Sequence, residues 1–348
     1  MRIIPLQAAH GDAIIVEAEK EGRIFRIVID GGPEETAEVI AKCYMELGHI
    51  DLLILTHYDN DHITGILRYF ECLKGDGCIV DTVWANCASI VDYDDEENES
   101  SYEDAYVLSK LLSKLKRRGL VGKWIENVTT EMGHDTVGPF MIDILSPTTD
   151  IHCDLLKHYR DYIDKHGLED DPDDDEDVSF SRVQSDASKD LSTLALSFRQ
   201  SSTTFMNRSS IALRVQADGK TILLLGDADA KVITDAIEGL VIKEGNPMHV
   251  DLVKVSHHGS KTNINENLFK LIECSNYLFT TDGGKGGAYH PDRQTIACID
   301  AWARKNDSQL TLYFNYPLDT IMGRNAGLLK ESEKERFHIV EGRNAIAV

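Results

Sequence analysis

The sequence predicts an α/β fold in which two β-sheets pack between layers of helices. β-rich runs alternate with segments whose apolar residues recur at helical spacing, the pattern of layered α/β proteins. A β-rich start and a second β-rich region at residues 210–281 can form two halves of one core. Hydrophobic residues make up 42% of the 348 residues, enough to bury a large core. This length fits one large domain or two ordinary ones, and we expect a single domain over residues 1–348.

Short apolar runs and chain breakers predict the elements of the first part of the chain. The predicted strands are residues 2–6, 13–18, 24–29, 51–56, 79–84 and 140–145. The predicted helices begin near Pro33 and at residues 62–73 and 102–118. The run at 51–56 is almost continuously apolar, which is typical of a strand buried on both faces.

The later part of the chain opens with a hairpin signature. An Asp218-Gly219 turn separates the predicted strands at 210–216 and 221–225. Further strands are predicted at 251–255, 277–281, 310–314 and 336–340, and helices at 230–240, 265–273 and 292–305.

The chain is strongly acidic, with 36 Lys and Arg against 59 Asp and Glu and a formal charge of −23. This charge disfavours a long nucleic-acid duplex as a partner, but a bound cation can still attract a nucleotide or a short strand. Acidic tracts at 92–99 and 169–177 lie in a region at about 86–206 that we expect to be an insertion. We interpret both tracts as solvated loops, with a basic partner as the alternative.

The seven cysteines are never spaced as Cys-x-x-Cys, which favours a reducing compartment over a disulfide framework. The sequence contains no run of about eighteen apolar residues, so we expect no membrane-spanning helix. The N-terminus does not resemble a secretory signal. We expect a cytoplasmic protein with no membrane contact.

Residues that can carry chemistry follow the ends of the predicted strands. The loop after the strand at 51–56 contains His57, Asp59, Asp61 and His62. On a tight strand-to-helix loop these side chains can converge, and their nitrogen and oxygen atoms suit zinc, manganese or iron. The alternative is a capped helix start in which Asp59 or Asp61 is the N-cap. Other strand ends carry Asp30, Asp227 and the pair His257-His258, and ligands gather at such strand ends in α/β folds.

The order of these residues resembles the metallo-β-lactamase fold superfamily. Asp59 stands where the usual motif has His, and this His-x-Asp-x-Asp-His variant resembles the hydrolase domain of the DNA-uptake protein ComEC and phosphorylcholine esterases. Further similar stretches are His10-Gly11-Asp12, Asn207-Arg208-Ser209-Ser210, Val253 to Ser260 and Tyr289-His290-Pro291. Asn207 stands twenty residues before Asp227, where the superfamily has a His.

The resemblance implies a four-layer αβ/βα fold and two divalent cations, Zn²⁺ or Mn²⁺. One cation would take Asp61, His62, His258 and a bridging Asp227. The other would take His57, Asp59 and Asp227. Two such cations about 4 Å apart would supply hydroxide at neutral pH, and the resemblance gives Asp61 the role of orienting or deprotonating that nucleophile.

The resemblance also implies roles for residues around the cations. His290 would donate a proton to the leaving group or hold a phosphate oxygen, with a helix cap as the alternative. Either His257 or His258 would bind metal; the pattern favours His258 and leaves His257 to support a ligand or to contact substrate. Residues expected behind the ligands or against the substrate are Asp12, Asp30, Asn207, Ser260 and Lys261.

We therefore expect a metal-dependent hydrolase whose substrate contains a phosphate or an ester. A phosphodiester in a nucleotide, nucleic acid or phosphorylated small molecule is preferred, because the extra carboxylate favours harder metals that bind phosphate oxygens. One alternative is a carboxylic ester or lactone hydrolase on the same binuclear site. Another is a non-catalytic, metal-stabilised interaction module whose acidic tracts bind a basic partner.

Overall fold

The computed structural model describes the whole chain except residues 76, 78, 87–100, 167–185, 200, 202, 245–246, 286–288, 305–308 and 343–344. The predicted acidic loops at 92–99 and 169–177 lie outside the described residues. None of the described helices is both long enough and apolar enough to cross a membrane.

Seven strands form the first sheet. They are β1 (Arg2–Pro5), β2 (Ile14–Lys20), β3 (Arg23–Ile29), β4 (Ile50–Ile54), β5 (Val80–Trp84), β6 (Val121–Ile125) and β17 (Ile346–Ala347). Their order across the sheet is β17-β1-β2-β3-β4-β5-β6. The pairs from β17 to β3 are antiparallel, and those from β3 to β6 are parallel. The carboxyl ends of β3 and β4 therefore meet at one edge of the sheet.

Eight strands form the second sheet. They are β7 (His134–Val137), β8 (Phe140–Ser146), β9 (Ala212–Ala217), β10 (Lys220–Leu224), β12 (Leu252–Lys254), β14 (Asn276–Phe279), β15 (Leu310–Phe314) and β16 (Phe337–Glu341). Their order is β16-β15-β14-β12-β10-β9-β8-β7, with β10 to β16 parallel and β7 to β10 antiparallel. The short strands β11 (Met248–His249) and β13 (Ile272–Glu273) pair separately. The region at 86–206 thus contributes β6 to the first sheet, and β7 and β8 to the second.

Helices connect the strands. They are α1 (Glu34–Glu46), α2 (Asn60–Cys72), α3 (Ser101–Arg117), α4 (Thr149–His166), α5 (Leu191–Leu196), α6 (Phe205–Arg208), α7 (Ala230–Glu244), α8 (Glu266–Leu271), α9 (Arg293–Ala303), α10 (Leu318–Arg324) and α11 (Glu331–Lys334). The apolar positions that predicted α1 are its buried residues: Ala37, Ile40, Ala41 and Tyr44.

The central strands β4 and β10 bury both of their faces, and their alternate residues point to opposite sides. In β4, Leu52 packs into a cluster shared by the two sheets, whereas Leu53 packs against helices α1, α2 and α3. In β10, Ile222 faces the other sheet and Leu223 faces the helices on its own outer side. The layer order is therefore helix, sheet, sheet, helix, which confirms the predicted α/β fold class with its αβ/βα layers.

The two halves of the molecule correspond in detail. Each half has a hairpin, β2–β3 or β9–β10, followed by a strand parallel to its second strand, β4 or β12. Residues 49–57 read His-Ile-Asp-Leu-Leu-Ile-Leu-Thr-His, and residues 249–257 read His-Val-Asp-Leu-Val-Lys-Val-Ser-His. Asp51 accepts a hydrogen bond from the Arg26 backbone N–H, as Asp251 does from that of Thr221. The carboxyl ends of the parallel strands of both halves meet at one place, and the candidate metal ligands lie there.

Candidate metal centre

The loop after β4 leads directly into α2 and brings its polar side chains together. Asp59 occupies the N-cap position of α2, but its carboxylate accepts no capping hydrogen bond. Instead its Oδ2 lies 3.3 Å from Nε2 of His57, a side chain with no solvent exposure. The capped-helix alternative therefore does not account for the Asp59 side chain.

Asp30 fixes the orientation of His62. The Asp30 carboxylate is fully buried and accepts hydrogen bonds from the backbone N–H and hydroxyl of Thr56, both at 2.7 Å. Its Oδ2 lies 2.8 Å from Nδ1 of His62, so it accepts a hydrogen bond from Nδ1 and leaves Nε2 as the nitrogen available to a cation. Close packing makes this contact possible: a Cβ at Gly65 of α2 would lie 1.9 Å from the carbonyl oxygen of Gly31. Asp30 thus lies behind a candidate ligand.

Asp227 lies at the centre of the cluster. It follows β10, and its backbone N–H donates to the Ser210 hydroxyl at 3.0 Å. Its Oδ2 lies 3.5 Å from Nε2 of His62, 3.7 Å from Nε2 of His257 and 3.6 Å from Nε2 of His258. One carboxylate oxygen therefore faces three imidazole nitrogens.

The turn after β12 aims both of its histidines at Asp227. His257 and His258 adopt left-handed backbone conformations, with φ of 48° and 52°, which cost energy for residues other than glycine. Nδ1 of His258 lies 2.9 Å from the Thr280 carbonyl oxygen, and Nδ1 of His257 lies 3.1 Å from Oδ1 of Asn263. Because acceptors occupy the Nδ1 side of both rings, Nε2 of each is left to face the centre.

The spacing of the donor atoms fits a metal ion. Asp61 Oδ2 lies 3.3 Å from Nε2 of His258 and 3.6 Å from Nε2 of His62. Zinc with bonds of about 2.0–2.2 Å in a tetrahedron would separate its ligand atoms by about 3.3–3.6 Å. Nε2 of His57, His62 and His258 and Oδ1 of Asp227 are buried without a hydrogen-bond partner in the described structure. Buried polar atoms seldom lack a hydrogen-bond partner. Divalent cations would supply the missing partners, and the donor set therefore fits them.

The charges of the cluster support one another. Burial alone would raise the pKa of the Asp227 carboxyl, but the imidazoles of His62 and His258 outweigh it and hold that pKa well below its usual range. Asp61 also has a lowered pKa, since His62 and His258 overcome the effect of burial. Burial lowers the pKa of His258, yet Asp227 and Asp12 raise it to about 10. A cation that binds here must therefore displace protons from imidazole nitrogens.

His290 and Lys261 lie beside the cluster. The His290 ring centroid is 5.2 Å from that of His257, and its buried Nδ1 has no hydrogen-bond partner among the described residues. Burial and the neighbouring His257 and His258 lower the pKa of His290 well below its usual value, so the ring is neutral. The Lys261 ammonium is 3.9 Å from Asp292 Oδ1 and partly exposed.

The side chains of two further predicted site residues, Ser260 and Asn207, form hydrogen bonds outside the cluster. The Ser260 hydroxyl accepts a hydrogen bond from the Thr262 backbone N–H, which caps a short turn. Asn207 is buried in α6, where its Nδ2 lies 3.4 Å from the Thr203 hydroxyl and its Oδ1 has no partner in the described part of the chain. Two residues beyond α6, the Ser210 hydroxyl accepts a hydrogen bond from the Asp227 backbone N–H, so this short helix borders the centre.

Two supporting residues escaped the sequence analysis. Asn263 joins the loops that carry Asp227 and His257, because its Nδ2 donates to the Asp227 carbonyl oxygen at 2.9 Å while its Oδ1 faces His257. Lys254 is buried beneath Asp227, with its Nζ 3.8 Å from Asp227 Oδ1. A lone lysine in an apolar strand is a signal that could have revealed Lys254. Asn263 lies in a polar loop and carries no such signal.

A second group with metal-like spacing contains His49, Asp51 and Asp81 at the opposite end of β4. Its buried member, Asp51, already pairs with the Arg23 guanidinium and accepts the Arg26 backbone N–H at 2.7 Å. We interpret this group as an ion-pair network.

No protein-family model matches the sequence, and the search of curated proteins gave no match. Among solved structures, the chain is similar to the metallo-β-lactamase fold protein YhfI from Bacillus subtilis, with 12% identity over 99% of this chain and 98% of that one and a TM-score of 0.42. It is also similar to Zn²⁺-bound PqqB from Methylobacterium extorquens (10% identity, 100% of each chain, TM-score 0.41). A diphosphatase of the PhnP family shows 10% identity over 97% of this chain and 84% of that one, with a TM-score of 0.38.

Proposed function

We propose that this protein is a metal-dependent hydrolase that cleaves a phosphodiester. The observation that carries the proposal is the convergence on Asp227, whose Oδ2 lies within 3.7 Å of three imidazole nitrogens. Two of those nitrogens, on His62 and His258, are buried and lack a hydrogen-bond partner in the described structure. Such a cluster is costly to bury unless it holds cations.

We assign the ligands in two overlapping sets. Asp61, His62, His258 and Asp227 would hold one cation, and His57, Asp59 and Asp227 the other. When bound, such cations lower the pKa of water and polarise a phosphoryl oxygen. Zn²⁺ and Mn²⁺ suit imidazole and carboxylate ligands together.

Groups beside the ligands favour an anionic substrate. His257 is more exposed than His258, with 16% against 3% of its side chain accessible, so we assign substrate contact to it. His290 is neutral and keeps one ring hydrogen, which it can donate to a phosphoryl oxygen. Lys261 adds a partly exposed positive charge. Asp61, with a quarter of its side chain exposed, can orient the attacking water or take its proton.

The motif supports a phosphate ester over a carboxylic ester. Asp59 in place of the superfamily's usual His resembles ComEC and phosphorylcholine esterases, and the added carboxylate favours metals that bind phosphate oxygens. We therefore propose a nucleotide, a short nucleic-acid strand or a phosphorylated small molecule as the substrate. The charge of −23 disfavours a long duplex.

The test is hydrolysis of bis(p-nitrophenyl) phosphate by metal-stripped protein reloaded with zinc or with manganese. We expect turnover that disappears in Asp227→Ala and persists in Asp251→Ala, which removes a carboxylate near the amino end of β12. p-Nitrophenyl acetate and a lactone are assayed in parallel. Turnover of those esters alone would overturn the phosphodiester assignment. Absence of all turnover with metal bound would instead favour the interaction module.

A further inference from the structure

Lys254 is a buried cation directly behind the candidate metal centre. Only 1% of the residue is exposed, and its ammonium forms an ion pair with Oδ2 of Asp12. The same Nζ donates to the Gly226 carbonyl oxygen at 3.3 Å and lies 3.8 Å from Oδ1 of Asp227. The two oxygens of Asp227 thus face different partners, since Oδ2 faces the imidazoles.

The fold itself does not require a charge at this position. Lys254 follows Leu252 by two residues in β12, and Leu252 packs between the sheets. In the corresponding strand of the other half, the matching residue is Ile54, which packs in the same inter-sheet cluster. Burying an ammonium in place of an aliphatic side chain has a desolvation cost, and we infer that its contacts serve the site.

Asp12 neutralises Lys254 and extends its contacts to a candidate ligand. Oδ1 of Asp12 accepts a hydrogen bond from the Thr280 hydroxyl and lies 3.3 Å from Nδ1 of His258. The backbone N–H of Asp12 donates to the Asp61 carbonyl oxygen at 3.2 Å. Because the pair carries no net charge, it can orient Asp227 and His258 without adding repulsion toward a cation.

We propose that Lys254, neutralised by Asp12, is a positioning residue that turns the Asp227 carboxylate so that Oδ2 faces the imidazole nitrogens. Lys254 itself touches no reacting group, because it is buried beneath Asp227. The inference rests on the proposed function only in that the centre holds divalent cations.

The test measures binding of Zn²⁺ alone to metal-free protein, by competition with a chromophoric chelator. Loss of a residue that orients a ligand typically weakens metal binding about 10- to 100-fold. We expect Lys254→Met to bind zinc at least about tenfold more weakly than the wild type, and Lys254→Arg to stay within about threefold of it. The matched control is Arg214→Met, which removes a buried cation paired with Asp143 in the same sheet. That control should lower stability and leave zinc affinity unchanged.

The double variant Asp12→Asn/Lys254→Met separates positioning from a structural role. Like the wild-type pair, it carries no net charge at these two positions, and it does not leave the Asp12 carboxylate buried and unpaired. It can therefore be measured instead if Lys254→Met fails to fold. We expect it to remain about tenfold weaker in zinc binding. Wild-type affinity in the folded double variant would overturn the proposal. Failure of the wild-type protein to bind zinc would refute the proposed function instead, and so the two failures are distinguishable.

Discussion

Asp30 should control metal affinity from behind His62. Asp30→Asn keeps the shape of the side chain but replaces one carboxylate oxygen by an NH₂ group. With the amide oxygen accepting from the Thr56 backbone N–H, the new NH₂ faces Nδ1 of His62, which lies 2.8 Å from the native oxygen. His62 must then move its hydrogen to Nε2, the atom that faces Asp227. That nitrogen no longer offers a lone pair to a cation.

The expected magnitude follows from these contacts. Changing the partner of a ligating histidine weakens metal binding by about 10- to 100-fold, which is about 1.4–2.8 kcal/mol. The variant also loses at least one charge-assisted hydrogen bond in a fully buried place, so we expect the free energy of unfolding to fall by about 1.5–3 kcal/mol. Zinc competition with a chelator measures the first quantity, and urea denaturation of metal-free protein measures the second.

Asp51→Asn is the matched control for Asp30→Asn. Asp51 is also buried in the first sheet and accepts a backbone hydrogen bond at 2.7 Å, from Arg26, but it lies at the other end of β4. We expect this control to lose stability and to bind zinc as the wild type does. Wild-type zinc affinity in Asp30→Asn, or an equal loss in both variants, would refute the reasoning.

Three further predictions follow from the same contacts. His57→Ala should lose about one of two zinc equivalents in elemental analysis, and full occupancy would remove His57 from the ligand set. The pKa of His258 is raised to about 10 in the cation-free protein, so protonated His258 stabilises that fold fully below about pH 6.5 and ceases to do so as the pH rises through about 10. The urea midpoint of cation-free protein should therefore fall between about pH 6.5 and pH 10. A midpoint that does not change with pH would contradict this. A Cβ at Gly11 would lie 1.9 Å from the Asp61 carbonyl oxygen, so Gly11→Ala should weaken zinc binding. Gly22 has open space around it, so the control Gly22→Ala should cost only backbone strain of about 1 kcal/mol. Equal zinc affinity in the two variants would count against the close contact between Gly11 and Asp61.

The sequence predicted the elements whose signals are local and strong. The apolar run at 51–56 became β4 (Ile50–Ile54), and the turn at Asp218-Gly219 joins β9 and β10 as expected. Strand β6 was missed because its residues, Val-Gly-Lys-Trp-Ile, are mostly exposed or half-buried and show weak β periodicity. Helices α4, α5, α6, α10 and α11 were also missed. The last four have only four to seven residues each, too few to show a helical period.

The site was predictable where chemistry-bearing residues directly follow apolar strands. That rule selected Asp30, His57, Asp227 and His258, which the structure brings together. It could not show that Asp30 would contact His62, because this depends on how closely α2 packs against the loop after β3. Nor could it indicate Asn263, whose contacts with Asp227 and His257 depend on how the loop after β12 folds back onto the end of β10.

The most direct test of whether Asp227 joins both sets of ligands is a zinc titration, measured by isothermal calorimetry, of metal-free wild-type protein and of Asp227→Ala. Among the described residues, Asp227 is the one carboxylate that faces His62, His257 and His258 together. We predict two zinc equivalents per chain in the wild type and no tight zinc binding in a folded Asp227→Ala variant. Two tightly bound equivalents in that variant would contradict the claim that Asp227 joins both sets of ligands.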